Sequence, residues 1–218
     1  MSCEFVTSGN CSVFGEFFSA EEERGSHLRI FIEGPQGSGK TTLAQHLSSL
    51  MTTSFLRGFP TSSEILSASA QSELCRRSLE MSVVPDNEIL VFDRSPLSQF
   101  AFLFRQTNDS KYLSCAKRAL SFLSCQFPIA VIFIESETSA CFSREDSQSV
   151  LNNSSWEIVD REVSAYQFIC EYLRRVSIPG VLVVSVRNGQ TTKMSDFLAQ
   201  GEELVKKLLI IVNPISNE

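Results

Sequence analysis

The chain has 218 residues, 43% hydrophobic and 20% charged, with a formal net charge of −6. That length holds one domain with a full core, and the balance excludes an intrinsically disordered chain. The acidic charge argues against a nucleic-acid-binding face, no apolar run nears the roughly 20 residues that span a bilayer, and Met1-Ser-Cys-Glu-Phe5 lacks the pattern of a secretory leader.

Residues 1–26 mix Ser, Gly and Cys with the acidic run Glu21-Glu22-Glu23 and carry no period, so they read as a poorly ordered extension. From Leu28 an apolar strand, Leu28-Arg-Ile-Phe-Ile-Glu33, runs into a glycine-rich loop. A helix follows over 40–51, with Leu43, Leu47 and Leu50 on one face. The pattern then predicts a strand at 53–56, a helix over 64–82 and a strand over 88–93. Helices follow over 97–105 and 111–124, then a strand over 129–134 and a polar stretch. A helix over 156–175, a strand over 181–186 and a helix over 194–211 complete the series. Strands apolar throughout and alternating with helices specify an α/β fold of three layers, a central parallel sheet flanked by helices. The domain spans 27–212, with a lid near 141–155 and a tail at 213–218.

The seven cysteines are odd in number and show no C-x-x-C spacing. They read as thiols of a reducing, intracellular compartment (cytoplasm or nucleus) rather than a disulfide frame or a zinc site.

Gly34-Pro35-Gln36-Gly37-Ser38-Gly39-Lys40-Thr41, followed by Thr42, fits G-x-x-x-x-G-K-[ST] between a predicted strand and a predicted helix. Glycines let the backbone wrap phosphate oxygens closely, and successive N–H groups at a helix N-terminus form an anion nest. In this pattern Lys40 reaches the β- and γ-phosphates of ATP, and the Thr41 hydroxyl ligates Mg²⁺. Asp93 ends the apolar strand Ile89-Leu-Val-Phe92, where a carboxylate meets the metal or its water. Arg94 beside it offers a planar fork to phosphoryl oxygens. A guanine-reading Asn-Lys-x-Asp tetrapeptide is absent from the sequence, which argues against a GTPase switch.

Leu28 to Thr42, with Gln45 and Leu47, closely resembles the first strand and P-loop of herpesvirus-type thymidine kinases. Phe92-Asp-Arg-Ser-Pro-Leu-Ser98 resembles their Asp-Arg-His-Pro-Ile segment and the Glu-Arg-Ser segment of cellular deoxynucleoside kinases. The resemblance covers residues 28 to about 210. It implies a P-loop kinase fold and transfer of the ATP γ-phosphate to the 5′-hydroxyl of a deoxynucleoside, thymidine foremost. It implies that Gln71, in Ser69-Ala-Gln71, pairs with the base, that Asp93 and Arg94 sit at the substrate's 5′ end, and that Arg144 opens a lid supplying cations. Arg161 is a further substrate-binding candidate, and a homodimer is expected by analogy.

Two departures stand out. The family's Glu before Pro is missing from Phe55-Leu-Arg-Gly-Phe-Pro60, which leaves Glu64 or Asp93 to take the hydroxyl proton. No basic residue lies between Arg144 and Arg161, so the lid is thin. Arg57 before Phe59-Pro60 is also reminiscent of the Arg-Phe-Pro segment of thymidylate kinases, whose Arg holds the acceptor monophosphate. Against that, Gly58 interrupts the segment, and Ser95 stands where those enzymes usually carry an aromatic residue. A deoxynucleoside monophosphate is therefore the alternative acceptor, and an ATP-binding relative with weak catalysis is the third reading.

Overall fold

The computed structural model describes residues 28–51, 55–57, 89–144 and 156–212. Among these residues the sheet has five parallel strands in the order β2-β3-β1-β4-β5: β1 Arg29–Glu33, β2 Phe55–Arg57, β3 Leu90–Asp93, β4 Ile129–Glu135 and β5 Val181–Arg187. β1 lies in the middle, with Ile32 opposite Asp93 of β3 and Glu33 opposite Phe133 of β4. A central parallel strand is covered on both faces, which is why every residue of β1 is buried.

Side chains alternate between two cores, as the two-residue period of a strand requires. Phe31, Leu90, Phe92, Ile129, Val131 and Phe133 face one layer, built from α2 (Pro96–Thr107), α3 (Lys111–Ser124) and α5 (Trp156–Val176). Ile30, Ile32, Val91, Ala130, Ile132 and Ile134 face the other, built from α1 (Lys40–Met51) and α6 (Met194–Val212). The chain leaves β1 into α1 on one face and β3 into α2 on the other. The carboxyl ends of these neighbouring strands thus flank a topological switch point, where open α/β sheets bind ligands.

Local chemistry sets the ends of α2. Ser95 caps it by accepting from the Leu97 N–H at 3.1 Å, Pro96 occupies the first turn, and Asn108 closes it in the left-handed region at φ 52°.

Among the described residues the elements follow the sequence pattern, with small shifts at their ends and one addition. The second strand, expected over 53–56, is described at Phe55–Arg57, where it pairs with β3. A six-residue helix, α4 (Thr138–Ser143), occupies the start of the expected polar stretch. Ser and Thr favour caps and turns over helix interiors, so this segment gives no periodic signal; burial of Ala140 and Cys141 holds it. The expected helix over 64–82, most of the lid, the extension at 1–26 and the tail at 213–218 lie outside the described residues. Cys115, Cys125, Cys141 and Cys170 are free thiols, and among the described residues no helix is long and apolar enough to cross a membrane.

Candidate active site

Residues 34–39 form a tight loop between β1 and α1. Ser38 N–H donates to the Pro35 carbonyl at 3.2 Å, and Leu43 N–H donates to Gly39 O at 3.0 Å, starting the helix. Gly37 sits at φ 74°, and a Cβ there would run into the Cys141 carbonyl oxygen of α4. Gly39 sits at φ 97°, with the Asn188 amide 2.9 Å from where a Cβ would stand. Both positions combine a left-handed conformation with close neighbouring atoms, the Cys141 backbone at Gly37 and Asn188 and Phe197 at Gly39, so only glycine fits without strain.

Lys40 is buried, and its Nζ donates to the Pro35 carbonyl at 2.6 Å, folding the ammonium back across the loop. Burial, helped by the nearby Arg94 charge and opposed by Glu162, Asp93 and Glu33, brings its pKa down to about 7.

Thr41 Oγ1, one residue on, donates to Asp93 Oδ2 at 2.6 Å. The other oxygen, Asp93 Oδ1, is buried without a hydrogen-bond partner. An orphaned carboxylate oxygen beside a hydroxyl at the mouth of the glycine-rich loop is a donor set that fits Mg²⁺, which takes one or two protein oxygens and fills its shell with phosphate and water. Among the described residues no cluster of three or more His, Cys, Asp or Glu forms a metal cage, as that mode of binding requires none.

Arg94 adopts φ 80°, rare for a residue with a side chain, and its Nη1 is buried without a partner. Glu33, fully buried at the end of β1, accepts at Oε1 from Ser95 N–H and Ser95 Oγ, both at 2.6 Å, and at Oε2 from Ser98 Oγ at 2.7 Å. Burial raises the Glu33 pKa above the usual carboxylate value, while Ser95, Ser98, Arg94 and Lys40 oppose the shift. Tyr166 of α5 donates to Ser98 Oγ at 3.3 Å.

Three further residues reach the loop. Glu162 of α5 accepts from Gln36 N–H at 3.0 Å and from Arg105 Nη1 at 2.9 Å. Asn188, buried just after β5, donates from Nδ2 to the Ser38 carbonyl at 2.7 Å. Sequence reasoning singled out none of Glu33, Glu162 or Asn188 as site residues. Glu33 did carry a signal, a carboxylate closing a largely apolar strand, whereas Glu162 and Asn188 come from elements far along the chain.

Arg144 lies at the end of α4, where its guanidinium donates to the carbonyls of Asn188 at 3.1 Å and Gly189 at 2.8 Å, stapling α4 to the β5 end. Arg161 is exposed and donates to its own helix at the Glu157 carbonyl. Arg57 ends β2 directly opposite Asp93 in the register. Glu64 and Gln71 lie outside the described residues.

No protein-family model and no curated protein matches the chain. Solved structures do. Deoxyadenosine kinase from M. mycoides with bound dATP matches with a TM-score of 0.56 at 15% identity, covering 84% of this chain and 98% of that one. The fold is that of the P-loop kinases. The YorR protein from Bacillus subtilis, in complex with phosphorylated GDP, gives 0.50 at 15% identity over 83% of this chain and 96% of that one. Shikimate kinase from Acinetobacter baumannii, in complex with shikimate, gives 0.50 at 13% identity over 83% and 92%. The P-loop kinase fold expected from the sequence is thus observed. Neighbours holding nucleotides and a neighbour holding shikimate share it, so the fold leaves the ligand and the chemistry to be argued from the site.

Proposed function

We propose that this chain is an ATP-dependent kinase that phosphorylates the 5′-hydroxyl of a deoxynucleoside, with thymidine as the first acceptor. The observation that carries the reading is the Thr41–Asp93 hydrogen bond beside the buried Lys40, which joins the donor loop to the end of the strand preceding Arg94. The loop's N–H groups and Lys40 hold the β- and γ-phosphates, and Arg94 offers its unpartnered Nη1 to charge developing on the transferred group. Mg²⁺, held through Thr41 and Asp93, supplies charge neutralisation of the triphosphate when bound. Asp93 or Glu64 takes the proton of the attacking hydroxyl, and Gln71 reads the base by donating to O4 and accepting from N3–H of the pyrimidine. Likeness in fold to deoxyadenosine kinase supports a deoxynucleoside acceptor.

A second reading, a deoxynucleoside monophosphate acceptor such as dTMP, draws support from the register pairing Arg57 with Asp93. That pairing sets the Arg57 backbone beside the same strand end, and an anionic acceptor needs a cation there more than a base.

ADP release measured with thymidine and dTMP side by side tests both. Release on thymidine sustains the first reading, release on dTMP alone the second. ATP binding without acceptor-dependent release identifies a catalytically weak relative. Thymidine, deoxycytidine and deoxyguanosine compared in wild type and Gln71→Ala then test the base contact; unchanged relative rates would remove Gln71 from the site.

A further inference from the structure

Glu33 answers a mechanical problem posed by Arg94. A side-chain-bearing residue at φ 80° is strained, so something must hold it there. One tether is backbone: Arg94 N–H donates to Ile32 O of β1 at 3.1 Å. The other is Glu33. Its Oε1 takes both donors of Ser95, the residue after Arg94, and its Oε2 takes Ser98 one turn into α2. Arg94 is therefore pinned on both sides by consecutive residues of β1.

An apolar residue at position 33 would close the strand at lower desolvation cost but would leave the buried Ser95 N–H without its acceptor. The guanidinium so fixed lies close enough to Lys40 to depress that amine's pKa, and its Nη1 has no partner.

We propose that Glu33 is a positioning residue that locks Arg94 in its left-handed conformation through Ser95 and Ser98, and so aims the guanidinium at the phosphate cradle. The proposal deepens the kinase reading and rests on it for the identity of the group that Arg94 meets.

A double-mutant cycle on Glu33→Ala and Arg94→Ala tests it. If Glu33 acts through Arg94, each single variant lowers kcat by about tenfold or more, and the double variant is no worse than Arg94→Ala alone. ADP affinity stays within about twofold, because the loop N–H groups that hold its phosphates are unchanged. Glu33→Gln recovers most of the loss, since its amide oxygen still accepts from both Ser95 donors. Effects that multiply in the double variant, or a Glu33→Ala enzyme with wild-type kcat, overturn the proposal. If Glu33→Ala lacks a cooperative melt, Ser95→Ala takes its place in the cycle. If the wild type releases no ADP with any acceptor, the kinase reading has failed. The same cycle is then read on ATP affinity by calorimetry, where coupling sustains the positioning role and additivity overturns it.

Discussion

Thr41 Oγ1 and Asp93 Oδ2 stand 2.6 Å apart, so the first turn of α1 and the end of β3 meet through one hydrogen bond at the switch point of the sheet. Asp93 Oδ1 has no partner, so the pair suits the proposed Mg²⁺ site as well as being a structural tie. Thr41→Val keeps the side chain's shape and removes the hydroxyl, while Asp93→Asn keeps the size and removes the charge. Each is expected to raise the Mg²⁺ concentration needed for half-maximal turnover about tenfold or more, with Asp93→Asn the more severe because it removes a charge as well as a ligand. A Mg²⁺ titration of ADP release at fixed ATP gives the numbers. Glu64→Gln, run across pH beside Asp93→Asn, tests Glu64 as the base: wild-type turnover and pH profile in Glu64→Gln would make Glu64 a bystander.

Lys40 has a pKa of about 7 because burial disfavours its charge. A bound triphosphate restores the reason to be charged, so ATP binding near pH 8 takes up close to one proton. Calorimetry in buffers of different ionisation enthalpy detects this uptake, and Lys40→Met should lack it. The stability effect has a definite sign. Between about pH 7 and 10.5 the unfolded chain holds a proton on this lysine that the folded chain has lost, so the folded state gains stability as pH rises through that window. The wild type should therefore gain denaturation midpoint relative to Lys40→Met over the same range. Lys40→Ala should abolish transfer while the domain still unfolds cooperatively; wild-type turnover in that variant would remove the phosphate loop from the mechanism.

Most of this architecture was legible because it is local. The run Leu28-Arg-Ile-Phe-Ile-Glu33 into glycines is one strand and one loop in both sequence and structure, and the helix predicted over 111–124 has those bounds. The contacts between distant segments were not legible. Glu162 meets Gln36 across 126 positions and Asn188 meets Ser38 across 150, and no period or spacing announces such pairs. Arg144 shows the opposite limit. Its place after the fourth strand suggested a lid cation, and what that place did not announce is that the guanidinium donates to two carbonyls at the end of β5, which lie within reach of the α4 C-terminus.

Gly37→Ala asks two things of the loop at once. The new Cβ meets the Cys141 carbonyl, a backbone atom that cannot swing aside, and φ 74° disfavours any side chain. The expected cost is about 1–3 kcal/mol, read as a lower urea midpoint with an unchanged slope. The loop relieves the clash by moving away from α4, so ATP affinity should fall about tenfold or more in the folded fraction. A variant with wild-type midpoint and wild-type ATP affinity would show that the loop and α4 do not pack as described.

Glu162 and Arg105 form an ion pair at 2.9 Å with side chains only 14% and 10% exposed, and the same carboxylate accepts from Gln36 N–H of the phosphate loop. Removing one partner leaves the other charged and largely buried, which is the costly half of such a pair. Allowing for its partial exposure, Glu162→Ala should destabilise the fold by about 2 kcal/mol and Arg105→Ala by a similar amount. The double variant should lose less than the sum of the two, because no stranded charge remains. Glu162→Ala alone also frees the Gln36 N–H, so it should change ATP affinity where Arg105→Ala leaves it nearly intact. Urea unfolding of the four proteins together with ATP calorimetry separates these roles. Strictly additive stabilities would mean that the pair is solvated in solution and that α5 is not anchored to the loop through it.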